Sequence, residues 1–152
     1  MKVIVVGGGH AGIEAAFAAA RMGADTILLT MHLETVAQMS CNPSIGGIAK
    51  GHLVREIDAM GGAMPRAADA TGIHFKVLNR SKGPAVRATR TQNDKIAYRN
   101  HLKNFLENVP GLNVYQAMAA EIIVRNGKAC GIRLMEGEVL EADAVVVCAG
   151  TF

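Results

Sequence analysis

Four β-branched residues, Val3-Ile4-Val5-Val6, run without a spacer into Gly7-Gly8-Gly9-His10-Ala11-Gly12. A strand that ends in such a turn and opens directly into a helix is the start of a parallel α/β unit, and few other folds accept it. Gly7 allows the sharp turn, Gly9 lets a phosphate approach bare backbone, and Gly12 lets the helix pack close to the strand. Amides at the helix end then face the anion. Gly7, Gly8, Gly9, His10, Ala11 and Gly12 are therefore the candidate contacts to a pyrophosphate. His10 could donate to a phosphate or make a neutral contact at the helix start.

The spacing after the turn continues in step. Ala16 and Ala19 keep one helix face thin, Gly23 ends the helix, and Thr26-Ile27-Leu28-Leu29-Thr30 follows as a second strand. An acid is expected about 20 residues beyond the last glycine to bind ribose hydroxyls. This chain has Thr30 there, with His32 and Glu34 just beyond. A threonine hydroxyl makes single hydrogen bonds and no charged bidentate contact, so the motif indicates a dinucleotide and leaves FAD and NAD both open.

Farther along, Ile48 to Met60 has helical spacing at Leu53, Ile57 and Met60, closed by Gly61-Gly62. Thr91 to Val109 predicts another helix, with Tyr98, Leu102, Phe105, Leu106 and Val109 as its stripe and Pro110-Gly111 as its stop. Leu112 to Gln116 is a short strand. Ala120 to Leu140 then forms a three-stranded meander, turning first at Asn126-Gly127 and again near Glu136-Gly137. The last apolar run, Ala144 to Gly150, predicts a buried parallel strand returning to the first sheet. Met31 to Arg90 is too long for a plain loop and is expected to be a helical, basic insertion. This order is that of a Rossmann-like FAD-binding domain of the glutathione-reductase type, three layers ββα with a β-meander, incomplete at the C-terminus. NAD domains usually continue in alternating strands and helices instead, so the order favours FAD.

With 152 residues, half of them apolar, the chain makes one domain, residues 1–152, with the insertion over about 31–90. Its apolar runs are too short for a membrane span or a signal peptide, which predicts a cytoplasmic protein. Charge is unevenly placed. Lys50 to Lys103 holds eleven basic residues and four acids, a surplus of seven, while the rest holds five bases and nine acids. Such asymmetry suits either a surface for an anionic partner or a solvated basic face. Within it, Arg80-Ser81-Lys82-Gly83-Pro84-Ala85-Val86-Arg87-Ala88-Thr89-Arg90 carries four bases around a Gly-Pro turn, as RNA backbone contact or as a connector.

The three cysteines, Cys41, Cys130 and Cys148, have no spacing that pairs them or builds a metal site, so no metal is expected. Cys130 and Cys148 lie in strand contexts and are assigned to packing. Cys41 lies in Met39-Ser40-Cys41-Asn42-Pro43-Ser44-Ile45-Gly46-Gly47-Ile48-Ala49-Lys50-Gly51, a polar turn ahead of a helix, where a thiolate is favoured. It is either a chemical residue or a half-buried structural one.

Three segments together, GGGHAG at Gly7 to Gly12, MSCNPSIGGIAKGHLV at Met39 to Val54 and NRSKGPAVRATR at Asn79 to Arg90, resemble one family. It is the flavoprotein subunit of the tRNA wobble-uridine carboxymethylaminomethyl-modifying enzyme, or glucose-inhibited division protein A. The folate-dependent tRNA uridine methyltransferase flavoproteins are similar relatives that match the cysteine loop less well. The resemblance implies FAD at Gly7 to Gly12, a backbone contact near Ala119, and Cys41 as one of two thiols used in the modification. It further implies NADH and methylenetetrahydrofolate as co-reactants, tRNA as substrate, a tRNA-modification GTPase subunit as partner, and a homodimer. Members of the family are longer, so the chain is expected to be an N-terminal portion, inactive in isolation. Two readings of another class stay open: a dinucleotide- or RNA-binding module without turnover, and a generic FAD or NAD(P)H oxidoreductase fragment.

Overall fold

A computed structural model describes residues 1–40 and 42–150. In chain order the elements are β1 (Lys2–Val6), α1 (His10–Arg21), β2 (Asp25–Thr30), β3 (Ser44–Gly46), α2 (Lys50–Ala59), α3 (Ala63–Thr71) and β4 (Gly72–Leu78). There follow β5 (Ala88–Asn93), α4 (Lys95–Glu107), β6 (Leu112–Gln116), β7 (Ala119–Arg125), β8 (Lys128–Leu134), β9 (Val139–Glu141) and β10 (Ala144–Val147). The chain divides into two compact units, one of residues 1–37 and 103–152, the other Gln38–Leu102.

In the first unit, β10, β1, β2 and β6 form a parallel sheet in that order. Strands buried on both faces read as continuous apolar runs, and β1 shows why. Ile4 and Val6 join Ile27, Leu29 and Val145 in an apolar layer completed by Ile132, Leu134 and Leu140 of the meander. Val3, Val5 and Leu28 alternate with them and are buried on the other face. There α1 lies with Ile13, Ala16, Phe17, Ala19 and Ala20 buried. The small alanines let the helix approach the sheet. Its end closes when the Gly23 and Ala24 amides donate to the Ala20 and Ala19 carbonyls, at 2.9 and 3.1 Å. The three expected layers, helix, parallel sheet and meander, are thus present.

The meander β7-β8-β9 pairs antiparallel throughout. Arg125 pairs with Lys128, so Asn126-Gly127 is a two-residue turn, and the positive φ of both residues (52° and 75°) makes it type I′. The closing strand β10 pairs parallel with β1, from Val3–Ala144 to Val6–Val147. Its burial differs from the sequence expectation: Val146 and Val147 are exposed. Among the described residues β10 is hydrogen-bonded on one side only, which leaves half its surface uncovered.

The second unit contains α2 and α3 and also a three-stranded antiparallel sheet in the order β3-β5-β4. Thr91, Gln92 and Asn93 belong to β5, so the helix predicted from Thr91 starts later, at Lys95. Asp94 is the reason. Its Oδ1 accepts the amides of Ile96 and Ala97, at 2.8 and 2.9 Å, and caps α4. Tyr98, Leu102 and Leu106 of the predicted stripe are buried. On α2 the spacing identified the helix, but Leu53 and Met60 stand exposed.

Truncating Leu134, 2% exposed beneath the parallel sheet, is expected to cost about 2–5 kcal/mol. Urea unfolding of Leu134→Ala should show a lower midpoint with an unchanged slope; a midpoint within error of the parent would mean that the meander does not contribute to the core.

Candidate dinucleotide-binding site

The carboxyl ends of three adjacent parallel strands meet at the glycine turn, where open α/β sheets bind their ligands. From β1, the Gly7 amide donates to the Leu29 carbonyl of β2 at 2.8 Å; from the other side, the Cys148 amide donates to the Val6 carbonyl at 2.8 Å. Gly7 has φ +115°, and a Cβ there would run into the Cys148 carbonyl oxygen. Any other residue would push β10 away from β1. A Cβ on Gly12 would overlap the Gly7 carbonyl oxygen, so the helix can start this close to the turn only with glycine at this position.

Gly9 differs from both. A Cβ added there would have no neighbour within 4 Å. Its φ is −77°, so its backbone needs no glycine either. Neither packing nor backbone conformation requires a glycine at this position. Gly9 is also the N-cap of α1, with its carbonyl accepting the Ile13 amide at 2.9 Å. No side chain caps this helix end and no acid sits in its first turn. By helix geometry the first amides of α1 have no partner within the helix.

Thr30 lies 6% exposed at the end of β2. Its Oγ1 is 2.9 Å from the point where a Gly8 Cβ would stand, and donates to the His32 carbonyl at 3.3 Å. Glu34 is turned to Lys103, with an Oε1 to Nζ distance of 2.9 Å. The Ala37 amide donates to the Gly8 carbonyl at 2.9 Å, so the segment after β2 folds back on the turn. Ala119 opens β7 opposite Leu134, with its methyl in the apolar layer. It follows Ala117, whose amide donates to the Thr30 carbonyl at 2.9 Å. Gly7 to Gly12, Thr30 and Ala119 thus belong to one unit, the turn and Thr30 at the carboxyl ends of parallel strands and Ala119 at the start of the meander.

Cys41 lies outside the described residues, and the structure does not place its thiol. Cys130 and Cys148 carry free, half-buried thiols. The contribution of Cys148 is a backbone one, its carbonyl against Gly7, which an inspection of cysteines for their chemistry misses. The returning apolar run was the usable signal, since a strand parallel to β1 must end beside the turn that β1 enters. Among the described residues no group of metal-ligating side chains forms.

Substitution separates the two kinds of glycine. Gly12→Ala should destabilise the fold by at least about 2 kcal/mol, because backbone must move. Gly9→Ala should leave stability within about 0.5 kcal/mol while weakening dinucleotide binding about tenfold. Thermal unfolding and calorimetric titration read the two effects, and unchanged affinity in Gly9→Ala would remove the phosphate from this position.

Comparison with known proteins agrees with this geometry. The family model described as Glucose inhibited division protein A matches residues 2–152. The tRNA uridine 5-carboxymethylaminomethyl modification enzyme MnmG of Syntrophotalea carbinolica is 56% identical over 151 residues, covering 99% of this chain and 24% of that protein. The crystal structure of Aquifex aeolicus GidA superposes with a TM-score of 0.96 at 54% identity, over 99% of this chain and 25% of the other. Pseudomonas aeruginosa PqsL, titled a probable FAD-dependent monooxygenase, shares the fold, with a TM-score of 0.66 at 15% identity over 95% of this chain and 41% of its own. The chain spans about a quarter of the length of these relatives. By its sequence profile and by a strand, turn and helix that superpose on the same architecture, this chain belongs to the glucose-inhibited division protein A family.

Proposed function

We propose that the chain holds the pyrophosphate and adenosine end of FAD in a flavoenzyme that modifies the wobble uridine of tRNA. The observation that carries this reading is Gly9, a glycine that neither packing nor φ requires, at the point where three parallel strand ends and the α1 amides converge. Gly7 and Gly12 hold β1, β10 and α1 together around it, and Gly8, His10 and Ala11 complete the turn. In this reading Thr30, at the end of β2, faces the ribose, and the Ala119 backbone, at the start of β7, meets the adenine end. The fit rests on backbone donors and a missing side chain, which suit a diphosphate of any dinucleotide. The meander in place of further alternating helices favours FAD over NAD.

When bound, the flavin, reduced by NADH, would handle the one-carbon unit delivered by methylenetetrahydrofolate. Cys41 acts as a thiol in attaching the carboxymethylaminomethyl group to uridine. The enzyme works in the cytoplasm as a homodimer, together with a tRNA-modification GTPase subunit. Support for these assignments is the family membership and the name carried by the 56% identical relative.

Competitive titration of the chain with FAD, ADP and NADH is expected to rank FAD at least equal to ADP and ahead of NADH. NADH binding more tightly than FAD would favour a nicotinamide oxidoreductase instead. In a full-length version of the protein, Cys41→Ser should lower wobble-uridine modification by about 10²-fold or more at unchanged flavin content. Unchanged modification would return Cys41 to a structural role.

A further inference from the structure

From Gly72 to Asn93 the chain carries five lysines and arginines and no acid. The register of the second sheet arranges them. On β4 and β5, Lys76 pairs directly with Arg90, and His74 with Gln92. On β3, Ser44 pairs with Gln92 and Gly46 with Arg90. Side chains alternate between faces, so Ile45, Thr89 and Thr91 point the other way. Those three line a cavity of about 150 Å³ with Val54 of α2 and with Pro65 and Ala68 of α3. His74, Lys76, Arg90, Gln92 and Ser44 therefore occupy the face turned away from these helices. His74 and Lys76 are exposed, and the other three are half-buried.

Two like charges directly opposite across a strand pair repel and destabilise it. Such a pair is usually relieved by a neighbouring acid. Here the acids of the surrounding segment lie elsewhere: Glu56 and Asp58 on α2, Asp69 on α3, and Asp94 capping α4. Ion pairs such as Lys103 to Glu34, Arg125 to Glu141 and Arg133 to Glu121 form elsewhere, and among the described residues neither Lys76 nor Arg90 takes part in one.

The loop joining the two strands is fastened rather than loose. Asn79 Nδ2 donates to the Val86 carbonyl at 3.0 Å, the Lys82 amide to the Asn79 carbonyl at 2.9 Å, and Arg87 Nε to the Lys82 carbonyl at 3.1 Å. A ring nitrogen of His52 lies 3.0 Å from the Ala85 carbonyl. Arg80 and Lys82 are thereby carried at the end of the same hairpin. Among the described residues no phenylalanine or tyrosine of the three strands joins this face, because Phe75 shares the register of Thr91, on the opposite face, and the one ring there is the His74 imidazole. Cations in a row with a single small ring match a phosphodiester backbone more than a run of unpaired bases.

We infer that the open face of the β3-β5-β4 sheet, with Lys76 and Arg90 at its centre, is a binding surface for RNA backbone phosphates. Its identification with tRNA rests on the function proposed above. The phosphates supply the counter-charge that the chain withholds from the Lys76–Arg90 pair.

The test measures binding of labelled, unmodified tRNA to the 152-residue chain by fluorescence anisotropy across a salt series. Lys76→Gln/Arg90→Gln is compared with Lys95→Gln/Lys128→Gln, a double change of equal charge at residues outside β3, β4 and β5. The first is expected to weaken binding at least tenfold at low salt and to reduce the slope of log K against log salt by about 1.5. The second should change affinity by less than twofold. Equal weakening by both doubles, or none by the first, overturns the inference and leaves the tRNA reading standing.

If the parent chain binds no tRNA, the functional reading falls, and tripolyphosphate then decides the anion site. Compared with chloride at equal ionic strength, tripolyphosphate should raise the Tm of the parent and leave that of Lys76→Gln/Arg90→Gln unmoved. A shift of equal size in both, or in neither, overturns the site. Circular dichroism confirms that the variant is folded, and relief of the repulsion predicts that its Tm at low salt is no lower than the parent's.

Discussion

The structure depends on the place where Gly7 meets the backbone of Cys148. Because Gly7 has no side chain and takes a positive φ, β1 can turn sharply while β10 closes in beside it. The same turn leaves room for Gly12, and so for α1 to begin almost at the strand end. Sheet order, helix position and the convergence of three strand ends follow from that single contact. A methyl group at either glycine would separate elements that the remaining core, however apolar, is built to bring together.

The two faces of the parallel sheet hold the turn in place by different means. On one face, the alanines of α1 allow a close approach; on the other, Ile132 and Leu134 of the meander fill the layer over Ile4 and Leu29. Neither face supplies a side chain to the α1 terminus. That end carries no side-chain cap, and the position where an acid is usual after β2 holds Thr30. The charged residue nearest in sequence, Glu34, is turned to Lys103 instead.

Much of the first unit was legible in the sequence because its signals are local and agree with one another. Val3 to Gly12, the small helix face and Asn126-Gly127 each specify backbone geometry directly. The second unit is less legible, for a physical reason. Thr89-Arg90-Thr91-Gln92-Asn93 is polar, and its strand character comes from pairing with β3 and β4 rather than from an apolar alternation. The cap at Asp94 was available to end that strand and start α4, but the apolar stripe drew the predicted helix back to Thr91. The opposition of Lys76 and Arg90 could not be seen before the register was known, since fourteen positions separate them in sequence. Burial of β10 was overstated because a continuous apolar run reports β-propensity and not the number of neighbours a strand has.

The most direct test of the account is to follow backbone amide resonances of the labelled chain as FAD is added. The largest shifts are predicted at Gly8, Gly9, His10, Ala11 and Gly12, with smaller ones at Thr30 and Ala119. Shifts confined to the β4–β5 hairpin, or absent from Gly8 to Gly12 at saturation, would contradict a pyrophosphate held by the glycine turn.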